Sequence, residues 1–266
     1  MSKDIRIRKG VSLKLKGTAS KIVKEAPRSE FYSIQPPDLW GFTPRLDARE
    51  GDKVKAGDAL FHSKTHEDII VATPVSGTVA EIVRGQKRRI LAVKIKADST
   101  DTYKDFKKQE LAKLTAGEIK THLLKSGCWP FVKQRPYDVI ANPADNPRDI
   151  FVSAYSNAPL QADSEFILKD RQQDFQTGIS LLAKLAGKKV KLGIDKNTTS
   201  FLAQTEDAEI FKISGPYPAG NVGVLIHHVA PINAGERVWT VNPEDVAIIG
   251  HLFNTGKYVP QRMVAL

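Results

Sequence analysis

The sequence predicts a mixed α/β chain in which a small all-β module precedes a larger, mostly parallel α/β domain. Three observations predict this. Glycine-punctuated strands fill residues 47–96, a helical period begins near residue 104, and strands then alternate with helices to the end. A length of 266 residues is comfortable for two domains, and 41% hydrophobic against 26% charged residues allows each to bury a core. A single cysteine excludes an internal disulfide framework, an iron–sulfur cluster or a cysteine-based zinc site held by this chain alone. It also points to a reducing, cytoplasmic compartment. No stretch approaches the roughly 18 to 20 apolar residues of a membrane helix. Val224-Leu225-Ile226 is stopped at once by His227 and His228, and the charge-rich N-terminus lacks the apolar core of a signal peptide. The chain reads as soluble.

In the first segment Ile5, Ile7, Val11, Leu13 and Leu15 alternate with Arg6, Arg8, Lys14 and Lys16, broken at Lys9-Gly10. That period of two predicts a half-buried strand pair with a basic outer face. Residues 1–100 hold 20 basic and 12 acidic side chains, a net of +8 out of the whole chain's +10. Such a face suits an acidic surface, whether phosphate, lipid headgroup or protein, and equally a solvated sheet face. Nucleic acid is not expected, because no aromatic residues interleave with the cations and no nucleic-acid motif is present.

Gly51-Asp52-Lys53-Val54-Lys55-Ala56-Gly57-Asp58-Ala59-Leu60 is a strand–turn–strand signature, and Pro74-Val75-Ser76-Gly77-Thr78-Val79 repeats the logic about twenty residues on. Together they resemble the biotinyl/lipoyl-like barrel, or barrel-sandwich hybrid. In carriers of that family the modified lysine lies eleven residues before the second element's glycine, and counting back from Gly77 lands on His66. The resemblance therefore implies a structural barrel without covalent cofactor. His62 and His66 stand four apart beside Glu67, but on a hairpin this spacing gives only a shared strand face, so no metal site is expected.

Further along, Thr115 and Glu118 form a capping box for a helix that ends at Gly127, with Leu114 stapling to Ile119. An apolar-then-basic loop follows, from Cys128-Trp129-Pro130-Phe131 to Arg135-Pro136. Residues 149–153, 190–194, 210–213 and 238–241 read as strands. A helix at 172–186 closes on Gly187, and another opens at Asn242-Pro243-Glu244 and stops at Gly256. Ligands of such a sheet belong at the carboxyl ends of its strands. No G-x-G-x-x-G follows a strand, since Gly215, Gly220 and Gly223 are wrongly spaced. Asn254-Thr255-Gly256-Lys257 ends in Tyr258 where a P-loop needs Ser or Thr, and no G-x-S-x-G elbow occurs. The sequence carries no self-sufficient catalytic machine.

Taken in order, several landmarks resemble the NqrA family, which supplies one of the subunits of the bacterial Na+-translocating NADH:quinone reductase. They are Ile5 through Gly17, the barrel signature through Gly77, Ser126-Gly127-Cys128-Trp129-Pro130 with Gln134-Arg135-Pro136-Tyr137, and Gly215-Pro216-Tyr217-Pro218-Ala219-Gly220 with His227 and His228. Members run longer, so the resemblance implies that a soluble-ligand-binding β-grasp region starts at about 257–266 and that a helical domain follows it. It implies domains at 1–103 (basic strands plus barrel) and 104–256 (Rossmann-like), the latter related to the flavin-bearing NADH-binding subunit of complex I and the C subunit of the Rnf complex. In those relatives the loop after the first helix is glycine-rich and approaches FMN phosphate. Here Trp129 to Val132 fill it, so FMN and NADH are not expected on this chain and flavin chemistry has been lost.

The implied function is that of a peripheral subunit, at the cytoplasmic face of the inner membrane, of a six-subunit complex that couples ubiquinone reduction to sodium export. The isolated chain is expected to be inactive, with the other subunits and quinone as partners. Trp129, Phe131, Lys133, Arg135, Gly215, Pro218, Gly220, His227 and His228 are the candidate quinone or degenerate flavin contacts: an aromatic wall, cations for carbonyl oxygens and imidazoles that titrate near neutral pH. The same aromatics also suit core packing, and the histidines a helix. Two other readings remain: a stand-alone NADH-oxidising flavoprotein, and a scaffold built on the barrel.

Overall fold

A computed structural model describes residues 3–17 and 20–265. The chain divides into two compact units, one of residues 1–26, 146–250 and 262–266, the other of residues 27–145 and 251–261. Packing thus assigns the first strand to the α/β unit and residues 104–145 to the barrel's unit, whereas the sequence reading divides the chain at 103/104.

The first strand, β1 (Lys3–Arg6), pairs in parallel with a strand more than 200 residues away, Lys3 facing Phe211 and Arg6 facing Ser214. This corrects the expected strand pair. Ile7 is buried, but after a single bridge at Val11 the alternation continues without a partner strand. Val11, Leu13 and Leu15 are left 61%, 63% and 56% exposed. Alternation marks a chain that is able to pair; it does not supply the pairing edge.

The barrel follows as β2 (Phe31–Ile34), β3 (Pro44–Leu46), β4 (Lys53–Val54), β5 (Ala59–Ser63), β6 (Ile70–Ala72), β7 (Gly77–Arg84) and β8 (Ile90–Ala97). They form two antiparallel sheets, β2-β8-β7-β4 and β3-β5-β6. Between them lies a core with Leu60, Phe61, Val79, Val93 and Ile95 fully buried. Gly77 is required by close approach, since a Cβ there would lie 2.0 Å from the Lys96 carbonyl oxygen. His66 sits exposed in the β5–β6 turn, while His62 on β5 places Nδ1 2.7 Å from Asp47 Oδ1. Among the described residues no group of three potential metal ligands converges.

Helix α1 (Ala116–Ser126) carries the full Thr115/Glu118 capping box and ends on Gly127 at φ 79°. A 3-10 turn at Trp129–Phe131 leads into a hairpin of β9 (Lys133–Arg135) and β10 (Val139–Ile140).

The α/β unit continues through β11 (Ile150–Ser153), α2 (Ser164–Leu168), α3 (Gln172–Ala186), β12 (Val190–Asp195), β13 (Ala208–Ser214), α4 (Val222–Val229), β14 (Val238–Thr240) and the first eight residues of α5 (Pro243–Thr255), whose last five belong to the barrel's unit. Five of its strands run parallel in the order β1-β13-β12-β11-β14. The buried run Ile150-Phe151-Val152 explains why β11 reads as continuously apolar: a central parallel strand is covered on both faces. Leu225 of α4 packs with Phe151, Phe211 and Ile213, over Gly193, where any side chain would collide with Leu225 and Ile213. The order of strands reverses at β11, whose neighbours are β12 on one side and β14 on the other. The carboxyl ends of β11 and β14 are therefore the topological switch point.

Candidate functional site

The candidate residues fall into two groups, one in each unit. In the barrel-containing unit, Trp129 is wholly buried and its indole Nε1 donates to the Ala141 carbonyl at 2.7 Å, so it packs the interior. Phe131 is half-buried and stacks almost parallel on Tyr258, with ring centroids 6.5 Å apart. Lys133 and Arg135 lie half-buried on β9. Arg135 Nη2 is 3.2 Å from Asp138, but its Nε is buried with no hydrogen-bond partner.

A phosphate-binding loop needs free backbone N–H groups. Around this turn four of them are spent inside the chain. The amide of Gly127 donates to Leu124, that of Cys128 to Leu123, that of Phe131 to Cys128 and that of Val132 to Trp129. Pro130 has none to offer. The residues present do not fit the phosphate of a flavin.

In the α/β unit the loop after β13 lies at the carboxyl end of the sheet, as the strand assignment predicts. It is held by the chain itself. Ser153 Oγ donates to the Gly220 carbonyl at 2.8 Å, Gly220 N–H to Asn157 Oδ1 at 2.8 Å, and the Tyr155 hydroxyl to the Gly215 carbonyl at 3.1 Å. Burial, with Asp195 nearby, pushes the Tyr155 phenol up from its ordinary pKa and keeps it a donor. A Cβ at Gly215 would lie 2.2 Å from the Ile7 carbonyl oxygen, and one at Gly220 2.1 Å from that of Tyr155. These glycines allow chain to pack on chain. Pro218 is half-buried between them.

His227 and His228 are exposed in the last turn of α4, with ring centroids 5.0 Å apart. His228 Nδ1 lies 2.9 Å from the Val224 carbonyl. Because the five residues 222–226 of α4 lie between the loop and His227, about 8 Å of helix rise separates the imidazoles from the loop. The structure does not bring them together.

Sequence reasoning missed the residues at the switch point. Glu244 and Asp245 open α5 directly beyond β14, and the chain's own Arg262 pairs with Asp245 while the Met263 amide donates to Glu244 Oε1 at 3.0 Å. Burial raises the Asp245 carboxyl to about 6, against the opposing pull of Arg262. Two acids at a helix N-terminus, already engaged by the chain, would repel the anionic cofactor that a doubly wound sheet ordinarily takes there. The acids are visible in the sequence as a helix start; their pairing with residues 262–263 is not.

One further group bears on titration. The His122 ring on α1 packs against Phe106 and Phe253, at centroid distances of 6.2 and 4.6 Å, and its buried Nε2 has no hydrogen-bond partner. It borders a shallow depression of about 430 Å³ shared with Thr115, Glu118, Thr121 and Lys125. Burial, reinforced by Lys125, pulls its pKa below the ordinary 6.5. The folded state therefore disfavours the imidazolium, so His122 costs nothing above the unfolded value, and stability is lost as pH falls through it. Because Asp245 acts in the opposite sense over the same range, the readout is the difference between the two proteins: relative to His122→Phe, the urea midpoint of the unsubstituted chain is expected to fall as pH drops below 6.5. An unchanged slope would place the titration elsewhere.

Comparison with known proteins matches residues 5–98 to the NqrA N-terminal barrel-sandwich hybrid domain and residues 114–258 to the NqrA second alpha/beta domain. Among curated relatives, the NqrA subunit of the Na(+)-translocating NADH-quinone reductase of Marinomonas sp. (strain MWYL1) is 33% identical over 263 residues, covering 98% of this chain and 59% of its own length. Its namesake from Neisseria gonorrhoeae (strain NCCP11945) is 32% identical over 264 residues with the same coverage. That of Actinobacillus pleuropneumoniae serotype 5b (strain L20) is 33% identical over 267 residues, covering 98% of this chain and 60% of its own length. The chain thus spans about three-fifths of the length of the relatives it matches.

Proposed function

The chain belongs to the NqrA family of the Na(+)-translocating NADH-quinone reductases, and from that premise we propose that it serves as a peripheral, non-catalytic subunit of such a complex. In this reading the complex passes electrons from NADH to ubiquinone and exports sodium. The chain works beside the other subunits at the cytoplasmic face of the membrane, and redox chemistry on flavin takes place elsewhere. What carries the reading is the turn after α1, where the amides of Gly127, Cys128, Phe131 and Val132 are bonded within the chain and Pro130 has none. A fold related to flavin proteins has lost its means of holding the phosphate. Among the described residues no helix is long and apolar enough to cross a membrane, which accords with peripheral attachment.

The quinone contact on this chain falls to Phe131, Lys133 and Arg135. A half-buried ring stacked on Tyr258 offers a flat apolar surface, and the orphaned Nε of Arg135 is a donor for a carbonyl oxygen. Trp129, wholly buried, belongs to the packing of the unit, and the proposal gives no part in the contact to the Gly215–Gly220 loop or the histidines. Titrating a short-chain ubiquinone analogue against the chain is the direct test. Arg135→Gln is expected to weaken binding about tenfold with little change in melting temperature. Equal affinity of the two proteins would remove the contact from β9, and a visible flavin spectrum in the purified chain would overturn the non-catalytic reading.

A further inference from the structure

The long hairpin of β7 and β8 ends in a turn that is both strongly charged and conformationally costly. Arg89 N–H donates to the Gln86 carbonyl at 3.1 Å, closing a four-residue turn with Lys87 and Arg88 at its centre. Both central residues are left-handed, Lys87 at φ 53° and ψ 32° and Arg88 at φ 60°. This is the type I′ geometry that suits the twist of a hairpin, and its two centre positions favour Asn-Gly, because a side chain with a Cβ is strained there. The chain instead places two long cations at those positions.

Two more flank them. Arg84, Lys87, Arg88 and Arg89 are all exposed, and among the described residues none of the four takes part in an ion pair. By contrast Lys94 and Lys96, further along β8, are neutralised by Glu81 and Glu30. The residues between the four cations are Gly85 and Gln86, so the tip has neither an apolar anchor nor an aromatic ring. A protein interface of useful affinity needs a desolvated apolar centre, and single-stranded nucleic acid needs a stacking platform. A flat layer of phosphates needs only clustered cations held outward on a rigid support.

We propose that the β7–β8 tip is an electrostatic docking point for anionic lipid headgroups, with the left-handed turn fixing Lys87 and Arg88 outward. The proposal deepens the peripheral attachment of the previous section by naming the element that touches the membrane. It needs no other protein, so its failure would leave the place of the chain in the complex untouched.

The test is co-sedimentation of the 266-residue chain with vesicles of phosphatidylglycerol mixed into phosphatidylcholine, against phosphatidylcholine alone. Binding is expected only to the anionic vesicles, and to fall steeply with added salt. The informative variant is Lys87→Asn with Arg88→Gly, which removes two cations while supplying the residues a type I′ turn favours. Its melting temperature should hold or rise, and its vesicle affinity should fall about thirtyfold. Arg84→Gln with Arg89→Gln, which leaves the turn centre alone, should weaken binding comparably. Equal binding to neutral vesicles, undiminished binding by both variants, or tighter binding to a DNA duplex than to anionic vesicles would overturn the proposal.

Discussion

Trp129→Ala is expected to lower the free energy of unfolding by about 4 kcal/mol. The side chain is wholly buried, so truncation removes the largest apolar surface of its turn and opens a cavity. It also leaves the Ala141 carbonyl without the 2.7 Å indole bond it now accepts. Denaturant titration followed by far-ultraviolet circular dichroism measures this without relying on the removed fluorophore. The result also tests the proposed quinone contact, because that proposal counts Trp129 as packing and not as a contact. A loss below about 1 kcal/mol together with abolished quinone-analogue binding would return Trp129 to the ligand wall.

The second large effect lies in the α/β unit, where α3 and α5 cross through glycine. A Cβ at Gly250 would stand 1.7 Å from the Asp174 carbonyl oxygen and 2.9 Å from the Gly178 amide nitrogen, and one at Gly178 would stand 2.1 Å from the Val246 carbonyl oxygen. No flexible side chain is available to move aside; the obstacle is helix backbone. Gly250→Ala is therefore expected to cost about 3 kcal/mol, although the same change in an open helix position stabilises by up to about 1 kcal/mol. Gly117→Ala on α1 is the control, since nothing lies within 4 Å of its added methyl. If both variants melted alike, the close crossing of α3 and α5 would be wrong.

Local signals were legible wherever the chemistry of a few consecutive residues decides the outcome. Thr115 and Glu118 cap α1, Gly127 and Gly187 end their helices in the left-handed conformation, and α3 spans the residues its period marks. One helix escaped notice and another was only one of two readings. The five-residue α2 is too short to show a period, and in α4 apolar residues fill successive positions, so the run is equally compatible with a buried strand. The charge count placed the basicity in the first hundred residues but could not show where the cations are unpaired. That depends on which carboxylates fold beside them: Glu81 and Glu30 reach Lys94 and Lys96, and among the described residues none reaches the turn at Lys87.

By itself the sequence determined the two-part architecture, the parallel sheet, the family and the lack of a glycine-rich phosphate loop, because each rests on periodicity, caps or short motifs. Only the tertiary structure decided which candidate residues lie close to one another. Pairing of Lys3 with Phe211, of Arg262 with Asp245, and of Gly220 with Asn157 joins residues 208, 17 and 63 positions apart. It also showed Trp129 to be interior, and parted His227 and His228 from the loop they follow by more than a turn of α4. A side chain's partners are set by the edge or face it meets after the chain has returned on itself. Local propensity fixes which edges and faces exist, and carries no record of that meeting.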